Sequence, residues 1–117
     1  MKKILVVDDD PDILQLIKTY LSGKGYAVRT TNSCNQGLTI FYSFEPDLVL
    51  LDINVGTEDG RVMCKSIKRQ AQYNHIPVIL FSANPELLKV GGDYGADAMM
   101  DKPFDLETMM ELFEKHL

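Results

Sequence analysis

Lys3-Ile4-Leu5-Val6-Val7 runs without a break into Asp8-Asp9-Asp10. A short apolar run that stops abruptly on acids reads as a buried strand meeting a polar edge. Three later stretches have the same form. Asp47-Leu48-Val49-Leu50-Leu51 runs into Asp52, Ile76-Pro77-Val78-Ile79-Leu80-Phe81 into Ser82, and the weaker Asp97-Ala98-Met99-Met100-Asp101 into Lys102. Open parallel α/β sheets bind ligands at the carboxyl ends of their strands. If the four runs are parallel neighbours, three carboxylates, a hydroxyl and an ammonium converge on one pocket. Such a pocket suits a divalent cation and a phosphoryl group.

The spacing between the runs is helical. Asp10-Pro11 offers an N-cap followed by proline at the first helical position, and Ile13, Leu14, Leu16, Ile17, Tyr20 and Leu21 recur on one face up to Gly23 or Gly25. Tyr26–Thr30 reads as a short second strand, and Ser33 caps a helix carrying Leu38, Ile40, Phe41 and Phe44 before Pro46. The Leu48–Leu51 run is apolar throughout, so burial on both faces is expected. Gly56 and Gly60 bracket a loop after Asp52, and a helix with Val62, Met63, Ile67 and basic outer positions follows. From 84 to 92 the signals are weak: Asn84-Pro85 starts a helix that Gly91-Gly92 ends almost at once. Gly95-Ala96 leads into the fifth strand, and Asp105 caps a last helix with Leu106, Met109, Met110, Leu112 and Phe113.

This alternation predicts an α/β fold in which a five-stranded parallel sheet, order 2-1-3-4-5, carries helices on both faces, as in flavodoxin-like proteins. With 117 residues the chain is read as one domain, 1–117, with no output module. A net charge of −5 argues against a non-specific grip on nucleic acid, so no direct nucleic-acid partner is expected. No apolar run is long enough to span a membrane, and Asp8 interrupts the stretch after Lys2 and Lys3 that a secretory leader would need. Cys34 and Cys64 stand apart without a metal-binding spacing, so reduced, buried thiols in a cytoplasmic protein are expected.

Asp8, Asp9 and Asp52 would crowd like charges into a small space, and each would resist ionisation without a cation. Mg²⁺ takes oxygen ligands and is held by carboxylates together with a phosphate. A carboxylate is also a competent nucleophile, yielding an aspartyl phosphate whose oxygens Lys102, Ser82 and the metal would neutralise. Alone, each residue has a plainer reading. Asp10 is a helix cap, Lys102 could be a solvated surface lysine, and Ser82 could be a turn residue. The Met99, Met100, Met109 and Met110 series is read as core filling, and His75 and His116 as surface residues.

Taken together, ILVVDDD at 4–10, PDLVLLD at 46–52, Asp59-Gly60, IPVILFSA at 76–83, Gly95-Ala96-Asp97 and DKPF at 101–104 resemble, in order and spacing, a bacterial response-regulator receiver domain. The resemblance implies a stand-alone, chemotaxis-receiver-like protein of a two-component phosphorelay. It implies Asp52 as phosphoacceptor from a histidine kinase or phosphotransfer protein, with slow self-dephosphorylation and no other enzymatic activity. Asp9 and Asp52 would bind Mg²⁺ directly, Asp8 through water, and Asn54 through its backbone carbonyl. Ser82 would be the phosphate-sensing hydroxyl, Lys102 the phosphate-binding cation, and Lys102-Pro103 a cis peptide.

Three features depart from the family pattern. Met99 stands where receivers usually have Tyr or Phe, so the aromatic half of the switch is missing. Ser82 and Lys102 are closer in sequence than usual, the shortage falling in the fourth helix. Gly56 replaces a common proline, and a more flexible loop is expected there. The departures at Met99 and the fourth helix motivate a rival reading, a receiver-like interaction module insensitive to phosphate. A haloacid-dehalogenase-type phosphatase, suggested by the Asp-x-Asp of residues 8–10, would need a longer core.

Overall fold

The computed structural model describes residues 1–88 and 91–117. Five parallel strands, β1 (Lys3–Val7), β2 (Ala27–Thr31), β3 (Leu48–Asp52), β4 (Val78–Ser82) and β5 (Ala98–Asp101), lie in the order β2-β1-β3-β4-β5. Between them run α1 (Pro11–Gly23), α2 (Cys34–Phe44), α3 (Gly60–Lys68) and a single turn, α4 (Pro85–Leu88), and α5 (Leu106–His116) closes the chain. The doubly wound parallel sheet is the one the alternation predicts. β2 begins one residue later than expected.

The period of two in the strands sorts the core into two layers. Ile4, Val6, Leu48, Leu50, Ile79 and Phe81 pack with Ile17 and Leu21 of α1 and with Met109, Met110 and Phe113 of α5. Leu5, Val7, Val49, Leu51, Val78 and Leu80 pack with Phe41 of α2 and with Met63, Cys64 and Ile67 of α3. β3 is buried along its whole length because both layers cover it. Both cysteines are buried and free, and burial pushes each thiol up to about 11.

Helix starts follow the caps in the sequence. Asp10 Oδ1 accepts from Asp12 N, Ser33 Oγ from Gln36 N and Asp105 Oδ1 from Thr108 N. Several expectations are corrected. Leu16 and Val62, counted among the apolar positions of their helices, are exposed, and Met99 is 41% exposed rather than core filling. On α3 the basic positions are not all outer: Lys68 is largely covered, its Nζ 2.6 Å from Asp97 Oδ2 and 2.7 Å from the Ile76 carbonyl. His75 is exposed, whereas His116 is half-buried, its Nδ1 3.0 Å from the Leu112 carbonyl.

Where a flexible loop is expected after Asp52, the chain forms a small antiparallel hairpin, Asn54–Val55 against Glu58–Asp59, with Gly56 at φ 59°. Glu58 ties this hairpin to α2 by accepting from the amides of Cys34 and Asn35. The weak helix at 84–92 is met at its start, where Asn84 Oδ1 accepts from Glu86 N, and by a 3-10 turn at Gly91–Tyr94. Residues 89 and 90 of that expectation lie outside the described residues. The turn rests on α3: the Arg61 guanidinium lies 5.2 Å from the Tyr94 ring centre and the Lys65 ammonium 6.0 Å.

Candidate functional site

Strand register assembles the site. Val7 pairs with Leu51, so Asp8 leaves β1 beside Asp52 at the end of β3. Asp52 pairs with Phe81, which sets Ser82 one residue further along β4; Ser82 pairs with Asp101, so Lys102 follows at the end of β5. The carboxyl ends of four strands therefore deliver the residues that the sequence singles out.

Lys102 Nζ donates to Asp8 Oδ2 at 2.9 Å and to Asp52 Oδ2 at 3.0 Å, and lies 4.5 Å from the centre of the Phe81 ring. Asp8 is wholly buried and Asp52 nearly so, while Asp9 faces solvent. One carboxylate oxygen from each of the three lies within 4.8 Å of the other two. Each carboxylate is also held by a backbone amide. Asp10 N donates to Asp8 Oδ1 at 2.8 Å, Asn54 N to Asp52 Oδ1 at 3.1 Å, and Gly56 N to Asp9 Oδ2 at 3.1 Å. Ser82 is buried, its Oγ accepting from Asn84 N at 3.0 Å, and its carbonyl accepts from Lys102 N. The Lys102-Pro103 peptide is cis.

Burial pushes the Asp8 carboxyl up to about 6, against the opposing pull of the Asp10 amide and the Lys102 ammonium, and the neighbouring Asp52 charge adds to the rise. Burial alone would lower the Lys102 ammonium, but its hydrogen bonds to Asp8 and Asp52 outweigh this and raise it. One ammonium thus faces a pair of buried carboxylates, with a third at the rim. This all-oxygen set, short of positive charge, has the chemistry that a hard divalent cation requires.

The acids, Ser82 and Lys102 are singled out by the sequence, as is Gly60 as a loop glycine though not for its contact with Asp52; Phe81 and Glu58 are not. Phe81 reads as one more apolar strand residue. The need for Gly60 arises where it meets the Asp52 backbone, and Glu58 acts on a helix more than twenty residues away in sequence. None of these contacts leaves a local pattern.

Comparison with known proteins places the chain in a class. The profile described as "Response regulator receiver domain" matches residues 4–114. The chain belongs to this family, whose members are signalling domains of two-component systems. The DNA-binding dual master transcriptional regulator RpaA of Synechocystis sp. is 35% identical over 112 residues, which is 94% of this chain and 46% of RpaA. The chain therefore spans about half the length of this curated relative. The chemotaxis protein CheY4 of Vibrio cholerae superposes with a TM-score of 0.91 at 28% identity, covering 100% of this chain and 99% of CheY4. NtrX of Brucella abortus gives 0.90 at 32% identity, covering 100% of this chain and 27% of NtrX. Among the described residues, no helix is long and apolar enough to cross a membrane.

Proposed function

We propose that this receiver domain accepts a phosphoryl group on Asp52 from the phosphohistidine of a kinase or phosphotransfer protein, in a Mg²⁺-dependent reaction, and later loses it by hydrolysis. The observation that carries the reading is the Lys102 ammonium bonded to both Asp8 and Asp52, with the Asp9 carboxylate alongside. Attack by an Asp52 carboxylate oxygen on phosphorus forms the O–P bond of an acyl phosphate and breaks the P–N bond. The electron pair returns to the imidazole, which takes up a proton. Water attacking the same phosphorus later restores the carboxylate and releases inorganic phosphate.

Asp9 and Asp52 would hold the Mg²⁺ directly, Asp8 through water, and the Asn54 carbonyl would complete the protein ligands. Bound there, the ion supplies charge neutralisation for the transferring group. Lys102 would neutralise one phosphoryl oxygen, and the Ser82 hydroxyl would donate to another. A donor must bring its histidine over Asp52. Beside the site, Ile13, Leu16, Ile17, Ala83, Pro103 and Phe104 line an apolar hollow of about 390 Å³ with Lys102 at its edge. A helix of the donor that buries its apolar face there brings its histidine to the pocket.

The test is mass spectrometry after incubation with Mg²⁺ and a small phosphoryl donor such as acetyl phosphate. The protein should gain the mass of one phosphoryl group, and Asp52→Asn should not. A stable modification that persists in Asp52→Asn would overturn the assignment. The exposed Met99, which lacks a ring, favours a second reading in which the site is kept but partner binding ignores phosphate. Partner capture at equal strength with and without beryllofluoride, by a protein that does become phosphorylated, would select it.

A further inference from the structure

The Lys102 ammonium has three hydrogens. Two are given to Asp8 Oδ2 and Asp52 Oδ2, and the nitrogen stands over the face of a fully buried aromatic ring, Phe81, 4.5 Å from its centre. An aliphatic residue would fill the same core volume, but only an aromatic face presents negative charge density to a cation. The ring is fixed on two sides. Its backbone pairs with Asp52 in the β3–β4 register, and Phe104 meets it edge-on at 5.8 Å and 82°.

Once a phosphoryl group sits on Asp52, the carboxylate becomes an acyl phosphate, loses its own negative charge, and holds the ammonium less strongly. The hydrogen aimed at Asp52 must then pass to a phosphoryl oxygen. As the hold of Asp52 is lost, Asp8 and the Phe81 ring carry a larger share of keeping the ammonium in place, so a weaker ring face costs more in the phosphoryl-bound state than before it. We propose that Phe81 is a positioning residue for phosphoryl transfer, its ring face keeping the Lys102 ammonium where the phosphoryl oxygens arrive. The inference rests on the phosphoacceptor reading above and adds a determinant internal to β4.

Fluorinated phenylalanines placed at position 81 by site-specific incorporation test this directly. They withdraw the negative face of the ring while changing its volume little. Beryllofluoride affinity at saturating Mg²⁺ should fall in graded fashion with the number of fluorines, by about fivefold to thirtyfold across the series. Mg²⁺ affinity measured without beryllofluoride should stay within about twofold, because the ring faces the ammonium and not the metal ligands. A packing role alone would give equal beryllofluoride affinity throughout the series, and that result would overturn the proposal. The chemical shifts of the unmodified protein offer a second check. The ε-methylene protons of Lys102 should be displaced upfield by the ring current and should lose that displacement in Phe81→Leu; an ordinary shift in the unmodified protein would also overturn it. An unmodified protein that fails to bind beryllofluoride would instead overturn the functional reading, and this proposal with it.

Discussion

Gly60 lies so close beneath the backbone carbonyl of Asp52 that a β-carbon on it would overlap the carbonyl oxygen. Its own amide donates to the Ile53 carbonyl at 2.7 Å, so the first turn of α3 is pinned to the backbone of the Asp52–Ile53 segment. Gly60→Ala has to move backbone rather than a flexible side chain. It is expected to cost at least about 1–3 kcal/mol, as overpacking typically does, and to slow phosphoryl uptake by displacing Asp52. Urea denaturation checks the first effect and the initial rate of mass increase the second. An unchanged denaturation midpoint would show that the backbone yields freely there.

Stability should depend on pH through Asp8. Its folded carboxyl is raised to about 6 from 3.8, chiefly by burial. A raised carboxyl stabilises the fold fully below the unfolded value, and that contribution is lost as pH rises through the folded one. Between pH 4 and 7, without divalent cations, the stability of the wild type relative to Asp8→Asn should therefore fall. The slope for one proton is at most about 1.4 kcal/mol per pH unit. Mg²⁺ favours the ionised pocket, so it should raise the melting temperature more at pH 7 than at pH 5. Equal Mg²⁺ effects at both values would remove Asp8 from the account.

Far from the site, Lys68 Nζ is bonded to Asp97 Oδ2 and to the carbonyls of Asn74 and Ile76, with its side chain only 12% exposed. Lys68→Met keeps the apolar stem but strands these acceptors. It is expected to cost about 1–3 kcal/mol while leaving the extent of Asp52 phosphorylation unchanged. Thermal melting and intact mass on the same samples separate the two. Loss of phosphorylation in a folded Lys68→Met protein would tie this contact to the chemistry.

Much of the fold was legible because its signals are local. The unbroken Leu48–Leu51 run marks a strand covered on both faces, and Asp10-Pro11, Ser33 and Asp105 mark helix starts that their side chains do cap. The acids, Ser82 and Lys102 were legible as strand-end residues, because a parallel sheet brings strand ends together whatever lies between. The hairpin at 54–59 was not, since two-residue strands carry no period. The basic positions of α3 are expected to face outward, and helical position alone cannot show that Asp97 and the Ile76 carbonyl lie within reach of the long stem of Lys68. Met99 was misread as core because hydrophobicity does not tell which face of an edge strand another element covers.

The response to phosphoryl binding should be local. Ser82 Oγ accepts from Asn84 N, so a hydroxyl drawn toward phosphate must disturb the start of α4. Met99, exposed and unbranched, fills either arrangement at similar cost and couples weakly to that movement. Amide exchange with beryllofluoride should change most around Ser82–Asn84 and little over residues 97–113. Large changes centred on 97–113, with Ser82 quiet, would contradict this.

The Lys68 contact also sets how β4 and β5 can move. Asp97 Oδ2 accepts from Val78 N as well as pairing with Lys68, and Asp97 N donates to the Val78 carbonyl, so both strands are clamped at their amino ends. Ser82 and Asp101 lie four residues further on, roughly 13 Å at the usual rise of a parallel strand. A strand clamped at one end behaves as a lever arm. A tilt too slight to break the clamp would be felt most at the opposite ends, where the hydroxyl and the ammonium sit. That pivot, built by Lys68, Asp97 and Val78, would then bear on the fine placement of the two groups rather than on whether Asp52 is modified.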